Sequence, residues 1–375
     1  MKTQITKQHT AVVAVEPQPT LYEEDDMKTK MPAILKLAMV FAIVTTLALS
    51  AISALAQNAN PNENPNQIAI LRWYQANTVG TTFSMGGGHA STSPIAFDGQ
   101  NIWVASTDGY LAEFSTAGKL LYGPIALPGT NAYPVGMTFD GANVWITDIA
   151  NSLIDKFNVT THIMTHYNVV QEPYFIAFDG ANVWVTSNHD NTVAAYRASN
   201  GTLAKGPYST RGSSATGVAF DGKCIWVANT DTNNVAIFDA GSTGGTCLLN
   251  GVTTSLPVSQ PFGLAYDGVN MWVSYRGPSG TGPGGVVKLL GTSGAYSATY
   301  GGCTTSGGTG TLVFDGAYLW EAGGYSGICK YKSSLFAGTL GLVARYSSAG
   351  MSVNQVAFDG ANIWASMGGA LVAKF

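Results

Sequence analysis

An all-β fold is predicted for this chain by three observations. A phrase of an aromatic residue, Asp-Gly, two further residues, an apolar residue and Trp occurs seven times. Successive phrase tryptophans lie 42, 39, 42, 46, 48 and 44 residues apart, close to the ~40–45 residues that a four-stranded propeller blade requires. The composition agrees: 45 glycines and only 11% charged residues, where an ordinary soluble domain carries about 25%. Seven copies predict a seven-bladed β-propeller over residues 79–375, built from four-stranded blades.

The phrases are Phe97-Asp98-Gly99 to Trp103, Phe139-Asp140-Gly141 to Trp145, Phe178-Asp179-Gly180 to Trp184, Phe220-Asp221-Gly222 to Trp226, Tyr266-Asp267-Gly268 to Trp272, Phe314-Asp315-Gly316 to Trp320 and Phe358-Asp359-Gly360 to Trp364. Each reads as strand, turn, strand. Runs such as Ile225-Trp226-Val227-Ala228 are apolar at consecutive positions, as expected of strands covered on both faces. Asp-Gly supplies the turn, because glycine takes positive φ and the aspartate side chain can hold backbone amides two residues on. The seven aspartates are therefore turn residues, and seven equivalent turns are not a catalytic site. The tryptophans are expected to fill the gaps between blades, each contributing ~2–3 kcal/mol by burial.

A third strand follows each tryptophan, as in Thr192–Tyr196 and Asn234–Phe238, and a weaker fourth leads to the next phrase. After Trp364 only one strand, Ala370–Phe375, fits before the chain stops. The last blade is thus one strand short, and Thr81–Met85, which precedes the first phrase, is predicted to complete it and close the ring.

Upstream, residues 1–56 form an N-terminal extension carrying an export signal. Lys28, Lys30 and Lys36 precede an uncharged stretch from Leu37 to Ala56 that ends Ala54-Leu55-Ala56, the pattern of a secretory signal cleaved before Gln57. The acidic run Glu23–Asp26 suits such a signal poorly, so either the start is Met27 or the n-region is unusually long. The alternative is an uncleaved membrane anchor, since about 20 uncharged residues can span a bilayer. Residues 57–78 read as a linker rich in Asn and Pro followed by a segment, Ile68–Asn77, that covers the ring seam. Export places the protein in the periplasm or outside the cell and makes the four cysteines readable as disulfides. The most local of the three possible pairings joins Cys224 to Cys247 and Cys303 to Cys329. A net charge of −4 provides no basic field for nucleic acid.

Val183-Trp184-Val185-Thr186-Ser187-Asn188, followed by Asn191-Thr192-Val193, resembles the YVTN-type propeller repeat, as does Ile225–Asn229 followed by Asn233-Asn234-Val235. More broadly, Thr81–Phe375 is similar to the NHL-like and virginiamycin B lyase-like propellers of exported bacterial proteins. The lyase resemblance implies a His–Glu pair with a magnesium ion at one mouth of the channel, for which this chain offers His189, Glu172 and Glu321.

In propellers that mouth is built from loops entering each first strand and leaving each second strand. Here those loops carry His89, Tyr133, Tyr174, Phe262, Arg276, Tyr325 and Gln355, an aromatic and amide-rich set suited to a neutral glycan or peptide. Glu321 is the sharpest departure from the repeat, since the other copies place Val104, Ile146, Val185, Val227, Val273 and Ala365 after the tryptophan. It is either a desolvated acid with a raised pKa or a solvent-facing residue beyond a strand that ends early at Gly323-Gly324. His162 and His166, four apart in an expected hairpin, would share one strand face but lack a third ligand for a metal. Two functions fit. One is an exported, non-catalytic binding or scaffold module whose partner is an exported protein, peptide or glycan, with no cofactor and with membrane contact only through an uncleaved anchor. The other is a lyase or hydrolase using a divalent metal at the mouth.

Overall fold

The computed structural model describes residues 81–241, 247–277, 284–302, 310–333 and 341–375. The expected signal, linker and seam-covering segments and Cys303 lie outside them. The described residues form seven four-stranded antiparallel sheets, each built from sequence-adjacent strands except the last. The first strands of blades one to seven are Thr92–Phe97, Pro134–Phe139, Pro173–Phe178, Ala215–Phe220, Pro261–Tyr266, Leu312–Phe314 and Val353–Phe358. In blade four, Ala215–Phe220 is followed by Cys224–Asn229, Asn234–Asp239 and Thr253–Ser255.

The Asp-Gly turns form for a definite reason. Asp221 Oδ1 accepts the amides of Lys223 and Cys224 at 2.8 and 2.6 Å, while Gly222 takes φ +98°, a conformation open to glycine at little cost. Beyond the turn, Val218, Ala219 and Phe220 pair with Val227, Trp226 and Ile225.

Each phrase tryptophan faces the next blade. Trp226 packs with Leu264, Met271 and Val273 of blade five, and Trp364 packs with Ile95, Ile102 and Phe114 of blade one. Six of the seven are fully buried, and Trp320 is 7% exposed. Hydroxyls add a second tie between blades. Thr147 donates to the Tyr174 carbonyl at 2.6 Å, Thr186 to that of Thr216 at 2.7 Å, Thr230 to that of Pro261 at 2.8 Å and Ser366 to that of Ser93 at 2.5 Å. Ser274 does the same to Gly310. In every case a second-strand or following residue holds the inner backbone of the next blade.

The ring closes as expected. Thr81–Ser84 pairs antiparallel with the last strand, Leu371–Lys374, with Thr81 opposite Lys374 and Ser84 opposite Leu371. Phe83 on this strand stacks on Trp364 with ring centroids 5.7 Å apart.

Cys224 and Cys247 form a disulfide, the bonding state that an oxidising compartment preserves. Cys329 is buried and also disulfide-bonded. Among the described residues no helix is long and apolar enough to cross a membrane.

For Glu321 the structure favours the desolvated alternative, and for the two histidines one expectation is corrected. Glu321 does not reach solvent: it lies in the strand Tyr318–Ala322 and is fully buried, because the backbone remains paired to Cys329 through this point. His162 and His166 do not share a strand. His162 occupies the turn at φ +58°, before the strand Met164–Asn168, and its ring lies 4.1 Å from that of Tyr122 in blade one.

Candidate functional site

Six of the first strands share an irregularity at their start. In blades one to five the register to the second strand shifts between Thr92 and Ile95, Pro134 and Met137, Pro173 and Ile176, Ala215 and Val218, and Pro261 and Leu264. Blade seven shifts between Val353 and Gln355. A bulge bends a strand and re-aims its side chains, and here it sits where the chain enters the channel. In blades two and four a glycine at this point permits close approach of the neighbouring inner strand. A Cβ on Gly136 would lie 2.7 Å from the Tyr174 carbonyl oxygen, and one on Gly217 would lie 2.0 Å from that of Phe262.

The re-aimed residues line a cavity of about 420 Å3 at the mouth. Its wall includes Ser91, Ser93 and Thr107 of blade one, Tyr133, Val135 and Ile149 of blade two, Tyr174 of blade three, Phe262 and Arg276 of blade five, and Ser352, Asn354 and Gln355 of blade seven. Five of the residues expected at the mouth (Tyr133, Tyr174, Phe262, Arg276 and Gln355) therefore meet in one space.

Aromatic rings floor this cavity. Tyr174, Phe175 and Phe262 form an edge-to-face cluster, with the Phe175 and Phe262 centroids 5.3 Å apart and those of Tyr174 and Phe262 6.0 Å apart. Such geometry sets the positive ring edge against the negative face. Below it a second cavity of about 140 Å3 follows the inner strands, lined by Phe175, Gly217, Gly263 and Leu312 among others, and Gln355 borders both spaces. Gln355 is held by Nε2, which donates to the Val135 carbonyl at 2.5 Å. Asn354 Nδ2 likewise donates to the Thr92 carbonyl at 2.5 Å.

Among the described residues, Arg276 is the only charged one in the mouth lining. Its Cζ lies 3.4 Å from the centroid of the Phe262 ring, a cation–π stack, and its guanidinium donates to the Tyr174 hydroxyl. Burial pushes the Tyr174 phenol above its ordinary value, although Arg276 offsets part of this rise. Burial also lowers Arg276, which Tyr174 in turn opposes.

The other expected site residues fall elsewhere. His89 Nδ1 contacts Asp108 Oδ2 at 3.1 Å and its ring stacks on Tyr110 at 4.0 Å; it does not line the cavity. Tyr325 is 69% exposed. His189 is an exposed residue at the rim of blade three, bonded to Asp190 at 2.9 Å. That bond, with Asp190 and Glu172 as nearby charges, raises its pKa against slight desolvation. Glu321 lies inside the wall between blades five and six. Tyr331 donates its hydroxyl proton to Oε2 at 2.7 Å, and burial pushes the carboxyl up to about 8 despite Tyr331 and the charge of Arg345. His189 and Glu172 thus sit together on one rim, with Glu321 in the interior of another blade pair. A divalent ion needs convergent oxygen or nitrogen ligands, which this trio does not provide. Among the described residues no group of three or more His, Cys, Asp or Glu is placed to hold a metal ion.

The residues not foreseen obey a simple offset. Ser93 and Val135 occupy the repeat position of Tyr174 and Phe262, and Thr107 and Ile149 follow their tryptophans by the same four residues as Arg276. His189 and Tyr325 come one residue later and turn outward. The same alignment exposes Asp155, whose counterparts are Ala112, Ala194, Ala236, Val287, Cys329 and Ala373. Asp155 is fully buried, and neither carboxyl oxygen has a hydrogen-bond partner. Burial, with the charge of Asp148 adding to it, pushes its pKa up to about 8.

No family model and no curated protein sequence matches the chain. Similar solved structures include virginiamycin B lyase from Staphylococcus aureus, at 18% identity and TM-score 0.63, covering 78% of this chain and 97% of that one. A streptogramin B lyase structure aligns at 16% identity and TM-score 0.63 over 78% and 96%. The WD40 repeats of RRP9 align at 12% identity and TM-score 0.64, again over 78% and 96%. Identities this low establish architecture alone. The chain is a seven-bladed β-propeller, with the fold that virginiamycin B lyase and WD40 propellers share.

Proposed function

We propose that this chain is an exported propeller that binds a ligand at the mouth of its channel without transforming it. The observation that carries this reading is the convergence of Tyr133, Tyr174, Phe262, Arg276 and Gln355, drawn from four blades, on one cavity of about 420 Å3. That volume lies within the ~300–1,000 Å3 typical of small-ligand sites and suits a small molecule or the end of a peptide or glycan. Aromatic faces and a few fixed amides and hydroxyls are a recognition surface. General acid–base chemistry needs a titrating group within hydrogen-bond reach of the substrate, and among the described residues neither a carboxylate nor an imidazole lines this cavity. Export is supported by the sequence pattern of residues 28–56 and by the Cys224–Cys247 disulfide.

The test is a panel of short peptides and oligosaccharides offered to the full chain and to a Tyr133→Ser, Gln355→Ala double variant, with mass spectrometry of the ligand afterwards. The reading expects binding that the double variant weakens at least tenfold, with the ligand recovered intact. Turnover of a ligand, abolished by His189→Ala or Glu321→Gln, would replace it with the lyase or hydrolase reading. Binding that the mouth substitutions leave unchanged would also overturn it.

A further inference from the structure

We infer that the mouth ligand is a saccharide, its apolar ring face laid on the mouth aromatics and its hydroxyls met by those of blade one. This rests on the mouth being a binding site and names the ligand class it selects. Three observations support it. First, the cavity has two chemically distinct walls. Tyr174 of blade three and Phe262 of blade five meet edge to face with centroids 6.0 Å apart, which is possible because blade four presents only Thr216 at that repeat position. Arg276, stacked on Phe262 and bonded to Tyr174, braces this aromatic wall. Ser91, Ser93 and Thr107 line the blade-one side, on the far side of the ring from blades four and five. Second, Tyr133 of blade two stands beside the blade-one hydroxyls, 47% exposed. Its amide donates to Asp148 at 2.9 Å and its carbonyl accepts the Ile149 amide at 3.1 Å, so its backbone is fixed while its ring stays open. Third, the blade-one hydroxyls are uncommitted. Those of Thr147, Thr186, Thr230 and Ser366 tie one blade to the next, whereas those of Ser91, Ser93 and Thr107 have no hydrogen-bond partner among the described residues.

A hydroxyl both donates and accepts. A cluster of hydroxyls is therefore matched best by ligand groups that also do both, as sugar hydroxyls do and as the amides and carbonyls of a peptide do not. A pyranose also presents an apolar C–H face, from whose edge its hydroxyls project. Laying that face on Tyr133 removes apolar surface of both partners from water, while the edge reaches the neighbouring blade-one hydroxyls. The aromatic contact supplies affinity and the hydroxyls supply selectivity, because a ligand lacking a hydroxyl leaves a protein group desolvated and unpaired.

Matched probes test this on the full chain by saturation-transfer NMR and calorimetry: cellobiose, maltose, lactose and diacetylchitobiose against N-acetylated, amidated tripeptides of similar size. At least one disaccharide should bind about tenfold or more tighter than every tripeptide, with transfer strongest to the C–H protons of one ring face. Tyr133→Phe should keep this binding and Tyr133→Ser should weaken it about tenfold or more. The double variant Ser93→Ala, Thr107→Val should weaken it to a similar degree without lowering the melting temperature, since these hydroxyls hold no blades together. Should a variant not fold, monodeoxy forms of the bound disaccharide decide on the native chain: at least one must bind about tenfold more weakly. Tripeptide binding that matches or exceeds disaccharide binding, and is lost on Tyr133→Ser, would overturn the saccharide inference and leave the mouth reading intact. Failure of every disaccharide to bind would overturn the inference, as would disaccharide binding indifferent to the blade-one hydroxyls; indifference to Tyr133 as well would remove the mouth reading too.

Discussion

The indole Nε1 of Trp226 donates a hydrogen bond to Asp221 Oδ2 at 2.7 Å. The same bond, at the same length, joins Trp103 to Asp98, Trp145 to Asp140, Trp184 to Asp179, Trp272 to Asp267, Trp320 to Asp315 and Trp364 to Asp359. One carboxylate therefore does two tasks. Its Oδ1 closes the turn on backbone amides, and its Oδ2 satisfies the only polar atom of the side chain that fills the interblade gap. A buried indole N–H without a partner is costly, so the five-residue spacing from Asp to Trp follows from hydrogen bonding as well as from packing.

Breaking this pair should destabilise the ring without touching the mouth. Asp221→Asn can present an N–H where the indole needs an acceptor, and should cost about 1–3 kcal/mol. Trp226→Ala should cost about 3–5 kcal/mol. Denaturant unfolding of the two single variants and the double variant measures the coupling. Simple additivity would contradict the account.

Stability should fall as pH rises from about 4 to 8. Asp155 and Glu321 have folded pKa values near 8, well above their unfolded values. Over that window the folded chain holds protons that the unfolded chain has released, so raising pH favours unfolding. Asp155→Ala installs the residue found at the equivalent position of four other blades. It should raise the melting temperature by several degrees at pH 8 and flatten the pH dependence; an unchanged slope would remove Asp155 as its source.

At the acid end the sign reverses. Burial pushes the Asp140 and Asp359 carboxyls up, but bonds from Trp145 and Asn143, and from Trp364 and Asn362, outweigh it and hold both below the usual range. Their contribution is present above the unfolded carboxylate pKa and is lost as pH falls through the lowered folded values. Melting temperatures should therefore decline again below about pH 4, less steeply in Asp140→Asn.

Ring closure depends on Phe83. A Cβ on Gly118 would lie 2.0 Å from its ring, so glycine at 118 makes room for the phenylalanine that stacks on Trp364. Phe83→Asp should detach the closing strand, lower the melting temperature and expose the outer edge of Leu371–Lys374, an open edge prone to association. Size-exclusion chromatography at rising concentration reads this directly, and a monomer of native stability would contradict it.

The fold was legible because it rests on a local, repeated signal: the turn chemistry of Asp-Gly and the apolar run around Trp recur in each blade, and the missing strand of the last blade follows from where the repeats begin and end. The mouth was only half legible. Tyr133, Tyr174, Phe262, Arg276 and Gln355 stand out by type, but whether a loop residue turns inward or outward is set by the entry bulge and by one residue of offset, which separates Arg276 from the position of His189 and Tyr325. Glu321 was visible as an anomaly, whereas its burial depends on Tyr331 and on blade five, which are distant in the chain. Asp155 escaped notice because its strand is less regular in sequence than the phrase itself.

The central claim is that the channel mouth, and not the opposite end with its Asp-Gly turns, is where this protein meets its ligand. Amide hydrogen exchange of the full chain with and without a saturating bound ligand tests it most directly. The account predicts slowed exchange around Tyr133, Tyr174, Arg276 and Gln355, with the amides of Gln100, Ala181 and Ala361 in the Asp-Gly turns unchanged. Protection confined to those turns, or to the outer strands, would contradict it.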